Sequence, residues 1–449
     1  MIDFKKALKI TERVIFIIFI VSVIFNFLTF KYYFKFSRVN GFADFLFCLL
    51  MWVKLTAPAV LALALFYGSK NARNISKYLY PLISALLLIF SGYYFKLEHE
   101  AITELEQLYI RLNTLFPNAF TDFLYVFECV LLFTLSTLLL LFDEKKAEDF
   151  KSFKYFPLFL LVCYPLNLTE NVIKYFSPQV KSFFAYSNFS VWYFLTLLAV
   201  GLITYFTYKH LSKKDRTYQD KFLAALTVCL LIQFLSRMSV GIADGYNTKH
   251  TLIELAPLYI CNIGTFVVAF AIFFRLKILY KISFFVHGAG AVSVFLYTGR
   301  PELSNWGTVF SYNYMSFAVT HMLLFMLCFL PYFLRYFEFK TKDIYVCFCY
   351  YMVTLSIAVI FSALVSSQTF FYGEGLEYVF EPNYSFTQIS PFAVPLPQIN
   401  FTLFNYRFNL IYLILLYFDY ILIFITQYSL IKSAEVWIPK INEKRNVKS

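Results

Sequence analysis

The chain alternates between long apolar runs and short polar stretches. Twelve of the runs approach the roughly 20 residues that a helix needs to cross a bilayer. They are predicted at 14–30, 42–67, 78–95, 122–142, 155–173, 186–208, 222–242, 254–274, 278–297, 309–335, 344–366 and 408–431. Because these runs are continuous and do not alternate, the pattern predicts an all-α, polytopic membrane helical bundle and not an outer-membrane barrel.

Lysine and arginine indicate the orientation of the predicted spans. With both termini in the cytoplasm, 27 of the 39 Lys and Arg residues fall in inner segments and 10 in outer ones. This asymmetry follows the positive-inside rule, so both termini are expected to be cytoplasmic. The apolar run 14–30 is too long for the core of a signal peptide and predicts a retained first helix.

The composition supports a membrane protein and narrows its partners. The chain is 60% hydrophobic and only 15% charged, far from the values of a soluble domain. The net charge of +12 suits anionic membrane lipids, so lipids and not nucleic acid are the expected partners. The 58 Phe and 36 Tyr residues, with many Ile, Lys and Asn, indicate AT-rich codons. We therefore expect a multi-pass protein of a bacterial plasma membrane.

The eight cysteines all lie in apolar runs, so a disulfide framework is not expected. Cys347 and Cys349 form C-x-C, but no second pair or neighbouring histidine completes a zinc site. No metal and no soluble cofactor is expected.

Three polar segments organise the chain. The hydrophilic stretch 209–221 predicts a boundary between an N-terminal six-helix region, 1–210, and a C-terminal six-helix region, 211–449. The segment 96–121 has apolar residues at helical spacing and predicts a short amphipathic helix. The proline-containing segment 367–407 is long enough for a lid or binding loop, or for an inert surface loop.

Polar and ionisable residues inside the predicted spans are the candidate functional groups, because burying them in lipid costs free energy. They are Lys54, Glu128, Gln233, Arg237, Cys261, Asn262, His287 and His321. Cys261 lies seven residues past Glu254, roughly 10 Å below the outer edge of its span. His321 lies 14 residues before Arg335, about 21 Å above the inner face. Both are therefore expected in the outer half of the bilayer.

Each of these residues also has a structural interpretation. A membrane cysteine is commonly a small packing residue. His287 lies beside Gly288 and Gly290, which permit close helix packing, and its imidazole can bond across that contact. Arg237 can snorkel to the surface. Lys54 can form a structural ion pair with Glu128.

Four segments of the C-terminal half resemble the YwaF-like integral membrane family. They are the stretch from Gln233 to Arg237, LAPLYICN at 255–262, FFVHGAGAVSVFLYT at 284–298 and SYNYMSFAVTHMLLFMLCFLP at 311–331. The matching residues are Pro257 and Cys261, Gly288 and Gly290, and Thr320 with His321. The resemblance covers about 220–430. That family includes a eukaryotic transmembrane acyltransferase acting on phospholipids.

The resemblance implies that Cys261 carries an acyl group as a thioester and that His321 is the general base. His287, Asn262, Gln233 and Arg237 are the supporting candidates, with Asn262 or Gln233 steadying the oxyanion. The family pattern has a histidine two residues before the cysteine, where this chain has Tyr259. This departure bears directly on catalysis, since a thiol in apolar surroundings needs a base within hydrogen-bond reach.

Two other function classes stay open from the sequence. Twelve spans with intramembrane Lys54, Glu128, Arg237 and His287 also suit a transporter of a small or lipid-like solute, although no internal repeat supports it. Alternatively, the polar residues only hold helices together in a non-catalytic membrane scaffold, an interpretation that Tyr259 strengthens.

Overall fold

The computed structural model describes most of the chain and is almost entirely helical. The described residues are 4–28, 41–93, 95, 118–166, 168–169, 177–187, 190–243, 258–296, 308–365, 368–372, 376–380, 397, 399–404 and 406–446. The helices among them are Phe4–Leu28, Phe42–Leu55, Ala57–Leu65, Lys70–Ile89, Asn118–Phe142, Phe156–Val162, Pro178–Phe183, Val191–Leu211, Arg216–Ala243, Ile260–Phe274, Lys277–Ile282, Ala289–Leu296, Tyr312–Phe333, Thr341–Val365 and Leu410–Asn446. Ala147–Tyr155 is a 3₁₀ helix, and Ser283–Gly288 is a π-helical turn.

The predicted all-α membrane fold is confirmed. Within the described ranges, eight helices are long and apolar enough to cross a membrane. The predicted number of twelve and the cytoplasmic location of both termini stay predictions. The small amount of sheet consists of two hairpins, Gln368–Tyr372 with Leu376–Phe380 and Asn400–Leu403 with Tyr406–Asn409. They occupy part of the segment predicted as a long loop, whereas the predicted amphipathic helix at 96–121 lies outside the described residues up to 117.

The predicted span at 155–173 is not one continuous helix in the structure, and the break falls next to Pro165, one of the residues that interrupt this apolar run in the sequence. The helix Phe156–Val162 ends at Cys163, two residues before Pro165. A proline disfavours helical backbone in the residue before it and has no N–H of its own, so the helix cannot run through this point. Seven helical residues span only about 10 Å, too little to cross a bilayer.

Two compact units make up the chain, and the predicted boundary near residue 210 stays a prediction. The first unit contains Met1–Ala256, Pro301–Leu323 and Phe370–Tyr378. The second contains Pro257–Arg300, Leu324–Thr369 and Val379–Ser449.

Ion pairs fasten three helices of the first unit at one end. Arg73, near the start of Lys70–Ile89, lies 3.0 Å from Glu12 of the first helix and also bonds Asp143, just after Phe142. The buried Lys77 lies 2.7 Å from Asp149 of the 3₁₀ helix. A buried charge without a counter-charge costs free energy, so these ion pairs stabilise the arrangement of the helix ends and the 3₁₀ helix.

Where the helix Phe156–Val162 is interrupted, backbone carbonyls accept hydrogen bonds from side chains that are far away in the sequence. The Trp52 indole donates to the Leu160 carbonyl at 2.8 Å, and the Gln233 amide donates to the Tyr164 carbonyl at 3.1 Å. Backbone groups inside a membrane must be satisfied by protein, so these two side chains make the break tolerable.

The second unit packs around an aromatic core next to the π-helical turn. The buried Phe284 and Phe285 of that turn contact Phe339 at ring-centroid distances of 5.1 and 4.4 Å. Lys281 pairs with Asp343 at 2.7 Å, which connects the helix before the turn to the start of Thr341–Val365. The π-helical turn is therefore stabilised by aromatic contacts of its own residues and by the ion pair of the helix that precedes it.

Candidate functional site

Cys261 occupies the first turn of the helix Ile260–Phe274. The helix begins after Tyr259, whose backbone is extended and whose side chain does not cap the helix end. Cys261 is partly exposed, whereas the cysteines at 48, 129, 163, 229, 328 and 347 are buried. Across from it, a Cβ built on Gly290 would lie 3.7 Å from the Cys261 sulfur. The thiol is thus partly accessible at a helix N-terminus and lies close to Gly290 of the helix Ala289–Leu296.

The helix N-terminus matters chemically because the first backbone N–H groups of a helix have no partner within it. Together they carry roughly half a positive charge, which favours a thiolate or an oxyanion nearby. Asn262, the next residue, is buried. Glu254 and Pro257, part of the predicted span, lie outside the described residues, so the described helix begins later than the predicted one.

His287 lies in the π-helical turn and is completely buried. Its Nδ1 is 2.8 Å from the carbonyl oxygen of Ile260, the residue preceding Cys261. Because a carbonyl only accepts, Nδ1 carries the proton, and the Tyr350 hydroxyl at 3.1 Å donates to Nε2 of the neutral ring. Both ring nitrogens form hydrogen bonds, so the imidazole positions the start of the helix Ile260–Phe274, hereafter the cysteine helix.

The neighbourhood of His287 is too tight for any residue but glycine at position 264. A Cβ built on Gly264 would lie 2.7 Å from Cγ of the His287 ring. The π-helical turn itself is secured by Gln427, whose amide donates to the Phe284 carbonyl at 3.1 Å. Such turns are rare in proteins overall, but many of those that occur are found at functional sites. The extra residue displaces one side chain relative to its position in a regular helix.

His321 lies in the first unit, on the helix Tyr312–Phe333, and is 5% exposed. Its Nδ1 is 2.7 Å from the carbonyl oxygen of Phe317, one turn earlier. By the same argument Nδ1 is protonated, which makes Nε2 the basic nitrogen of the neutral ring. This is the tautomer that a general base requires.

Gln233 and Arg237 are one turn apart on the helix Arg216–Ala243 but have different surroundings. Gln233 is buried and holds the Tyr164 carbonyl at the helix break. Arg237 is exposed, in agreement with the snorkelling interpretation. The role of Gln233 was not expected from the sequence, because the carbonyl that it satisfies is 69 residues away.

The predicted ion pair between Lys54 and Glu128 is confirmed. The two side chains are buried and lie 2.9 Å apart. The Asn26 amide also donates to Glu128, and the Tyr125 ring lies 4.9 Å from the Lys54 ammonium. The charges neutralise each other, so this cluster carries no net charge to attract a solute.

The structure brings some of the predicted site residues together. Tyr259, Cys261, Asn262 and His287 belong to the second unit, around the start of the cysteine helix. His321, Gln233 and Arg237 belong to the first unit. The pairing of Cys261 with His321 stays a prediction. Sequence reasoning missed Tyr350 and Gly264, since a tyrosine among 36 or a glycine in an apolar helix gives no signal of its own.

One of three comparisons with known proteins identifies a family for this chain. Comparisons with curated proteins and with solved structures gave no match. The sequence matches the TMEM164 family over residues 175–425, a region that includes Cys261, His287 and His321. This region overlaps the segment 220–430 that resembles the YwaF-like family, a link that stays a prediction. Because the match covers more than half of the 449 residues, the chain belongs to the TMEM164 family, a family of membrane proteins.

Proposed function

We propose that this protein is a membrane-embedded acyltransferase or transacylase that moves acyl chains between phospholipids through a thioester on Cys261. The observation that carries the proposal is the position of Cys261: a partly exposed thiol in the first turn of an apolar helix. Of the eight cysteines, Cys261 and Cys349 are not buried, and of these two Cys261 is the one in the first turn of a helix.

The location suits a lipid ester as the electrophile. Cys261 is the second residue of its helix, about 2 Å along the axis from the helix start. The ester groups of phospholipids lie at the boundary between hydrocarbon and headgroups, and Cys261 is expected roughly 10 Å below the outer edge of its span, in the outer half of the bilayer. A lipid of the outer leaflet can therefore reach Cys261 laterally without leaving the membrane.

The transfer needs only the groups that the chain supplies. The Cys261 thiol loses its proton to Nε2 of His321, and the sulfur attacks the ester carbonyl carbon of the donor lipid. N–H groups of the helix N-terminus, with Asn262 as a further donor, stabilise the oxyanion. The intermediate collapses by breaking the carbon–oxygen ester bond, and the leaving alkoxide takes the proton back from His321. The products are a thioester and a lysophospholipid.

The second half of the reaction runs in reverse on another lipid. A hydroxyl of an acceptor lysolipid gives its proton to His321, and its oxygen attacks the thioester carbonyl. The carbon–sulfur bond breaks and the thiolate recovers the proton. His287 holds the Ile260 carbonyl throughout and is a positioning residue, so the absence of a histidine at Tyr259 is compatible with this assignment. The proposed setting is a bacterial plasma membrane.

The test is covalent labelling of the full-length protein. Purified protein is incubated with a phosphatidylcholine carrying a fluorescent acyl chain, and intact-mass analysis reports the added acyl group. We expect one acyl group on the wild type, released by neutral hydroxylamine, and none on Cys261→Ala. Cys349→Ala is the matched control, because Cys349 is exposed but lies in the interior of a regular helix. Labelling that persists in Cys261→Ala contradicts the proposal.

A further inference from the structure

Two buried hydroxyls on the helix Tyr312–Phe333 differ from the other buried serines and threonines of the first unit. Ser316 and Thr320 are 2% and 5% exposed, and their hydroxyl oxygens have no hydrogen-bond partner among the described residues. Leaving a buried hydroxyl unsatisfied costs free energy, so such groups call for an explanation.

Several other buried helical hydroxyls in this unit satisfy themselves locally, whereas the hydroxyl of the half-buried Thr137 has no hydrogen-bond partner among the described residues either. Ser136 donates to the Leu132 carbonyl at 2.6 Å, Thr204 to Val200 at 2.7 Å and Thr227 to Leu223 at 2.8 Å. This bond to the carbonyl one turn earlier is the usual solution for serine and threonine in a helix. Ser316 and Thr320 do not use it, so their hydroxyls are directed away from their own backbone.

The two hydroxyls share one side of the helix. Being four residues apart, they lie about 40° apart around the axis and one turn apart along it. Tyr312, one turn before Ser316 on the same side, packs on Leu166. Tyr314, on the opposite side, packs on Tyr186. The hydroxyl pair therefore continues the row of Tyr312 and faces away from the Tyr186 contact, and both residues are buried.

The depth and charge of this position indicate the chemistry of a ligand. The candidate membrane span begins at Tyr314, so Ser316 and Thr320 lie about 3 and 9 Å inside it. Residues 312–323 include no Asp, Glu, Lys or Arg. Neutral hydroxyl donors suit a neutral acceptor, whereas a phosphate would bring a buried charge to a helix segment that has no Lys or Arg of its own. Among the neutral acceptors of a membrane lipid, the ester carbonyls at the boundary of the hydrocarbon are the ones nearest to this end of the span.

We infer that Ser316 and Thr320 form a binding site for the glycerol ester carbonyls of a phospholipid. For its ligand class the inference rests on the proposed function, but binding needs no thioester. Each hydroxyl donates one hydrogen bond to an ester carbonyl oxygen, which satisfies both groups at once. The site holds the lipid by its backbone ester region and leaves the headgroup outside.

The test compares ester and ether lipids on Cys261→Ala protein, in which the proposed transfer cannot occur. The purified full chain in micelles is exposed to equal amounts of a diacyl phosphatidylcholine and its dialkyl ether analogue, which lacks the carbonyls. Native mass spectrometry measures the ratio of bound lipids. We expect a preference for the ester of about tenfold from two hydrogen bonds, and its loss in Ser316→Ala/Thr320→Val.

Matched controls are available on helices of the same unit. Ser136→Ala/Thr227→Val removes the same atoms from self-satisfied hydroxyls and is expected to keep the ester preference. Melting temperatures show that each variant is folded. Equal binding of ester and ether lipids by the parent protein overturns the inference, whether a headgroup or a buried water is the true occupant. A preference that survives in Ser316→Ala/Thr320→Val overturns it as well, and neither result depends on thioester formation.

Discussion

His287 donates a hydrogen bond from Nδ1 to the carbonyl oxygen of Ile260 at 2.8 Å. This single bond joins the π-helical turn to the first residue of the helix that carries Cys261. The same ring accepts from Tyr350 on the helix Thr341–Val365, so three helical segments of the second unit meet at one imidazole. The position of the thiol depends on this contact.

Replacing His287 is expected to loosen the start of the cysteine helix. His287→Ala leaves the buried Ile260 carbonyl without this partner, at roughly 1–3 kcal/mol, whereas the half-buried Tyr350 hydroxyl keeps its hydrogen bond with Thr354. His287→Asn places an amide nitrogen near the position of Nδ1 and should recover part of the loss. Melting curves in detergent measure both variants. Equal melting temperatures for the alanine and asparagine proteins would show that the Ile260 bond contributes nothing.

Gly264→Ala is expected to destabilise the second unit by roughly 1–3 kcal/mol, because the new methyl group overlaps the His287 ring. The ring cannot withdraw without breaking its two hydrogen bonds. Gly201→Ala is the control, since a Cβ there meets nothing within 4 Å and alanine favours the helix. Thermal unfolding separates the two outcomes: the first variant melts below the wild type, and the second at or slightly above it.

Removing one member of the buried Lys54–Glu128 pair is expected to destabilise the fold strongly. Replacing both members by neutral residues is expected to destabilise it much less. Lys54→Met leaves Glu128 buried without its counter-charge, which costs roughly 3–5 kcal/mol. The double variant Lys54→Met/Glu128→Gln should recover most of this loss, because Gln still accepts from Asn26. Lys146→Met, which removes an exposed ion pair with Glu144, should change stability by less than about 1 kcal/mol. A double-mutant cycle in melting experiments gives the coupling, and purely additive effects contradict the prediction.

Acid is expected to weaken the attachment of the 3₁₀ helix Ala147–Tyr155. The hydrogen bond from Lys77, with a second one from the Lys146 backbone, holds the pKa of Asp149 below its usual 3.8. A lowered folded-state pKa stabilises the fold above the unfolded pKa, near 3.9, and this contribution disappears as the pH falls through the folded value. The melting-temperature difference between wild type and Asp149→Asn should thus be constant from pH 5 to 8 and shrink below about pH 4. A difference that grows in acid would reverse the assigned sign.

The sequence predicted the helices well because length and apolarity alone decide what crosses a membrane. The run at 344–366 became Thr341–Val365, and the run at 186–208 became Val191–Leu211. Lys54 and Glu128 were also foreseeable as a pair, since two opposite charges inside apolar runs have strong reason to meet.

The site was less predictable because its geometry depends on contacts between distant residues. The sequence of Ser283–Gly288 contains no pattern that predicts a π-helical turn, and this turn determines the orientation of the His287 side chain. Pro165 signalled an interruption, but the partners that make it tolerable are set by Trp52 and Gln233 on other helices. Likewise, Ser316 and Thr320 are ordinary residues in the sequence, and only the missing bonds to their own backbone distinguish them.

The interruption at Cys163–Pro165 also has a consequence for biosynthesis. During translation the Leu160 carbonyl can find Trp52 as soon as it emerges, but the Tyr164 carbonyl must wait for Gln233, 69 residues later. Until then the Tyr164 carbonyl lacks this hydrogen-bond donor, which disfavours burial of the segment in hydrocarbon. We therefore expect the segment to remain near the translocon or the membrane interface while the helices at 191–211 and 216–243 are made. The break is thus satisfied only after the helix Arg216–Ala243 has been made, and a nascent chain stopped before Gln233 should remain open to proteases at this point.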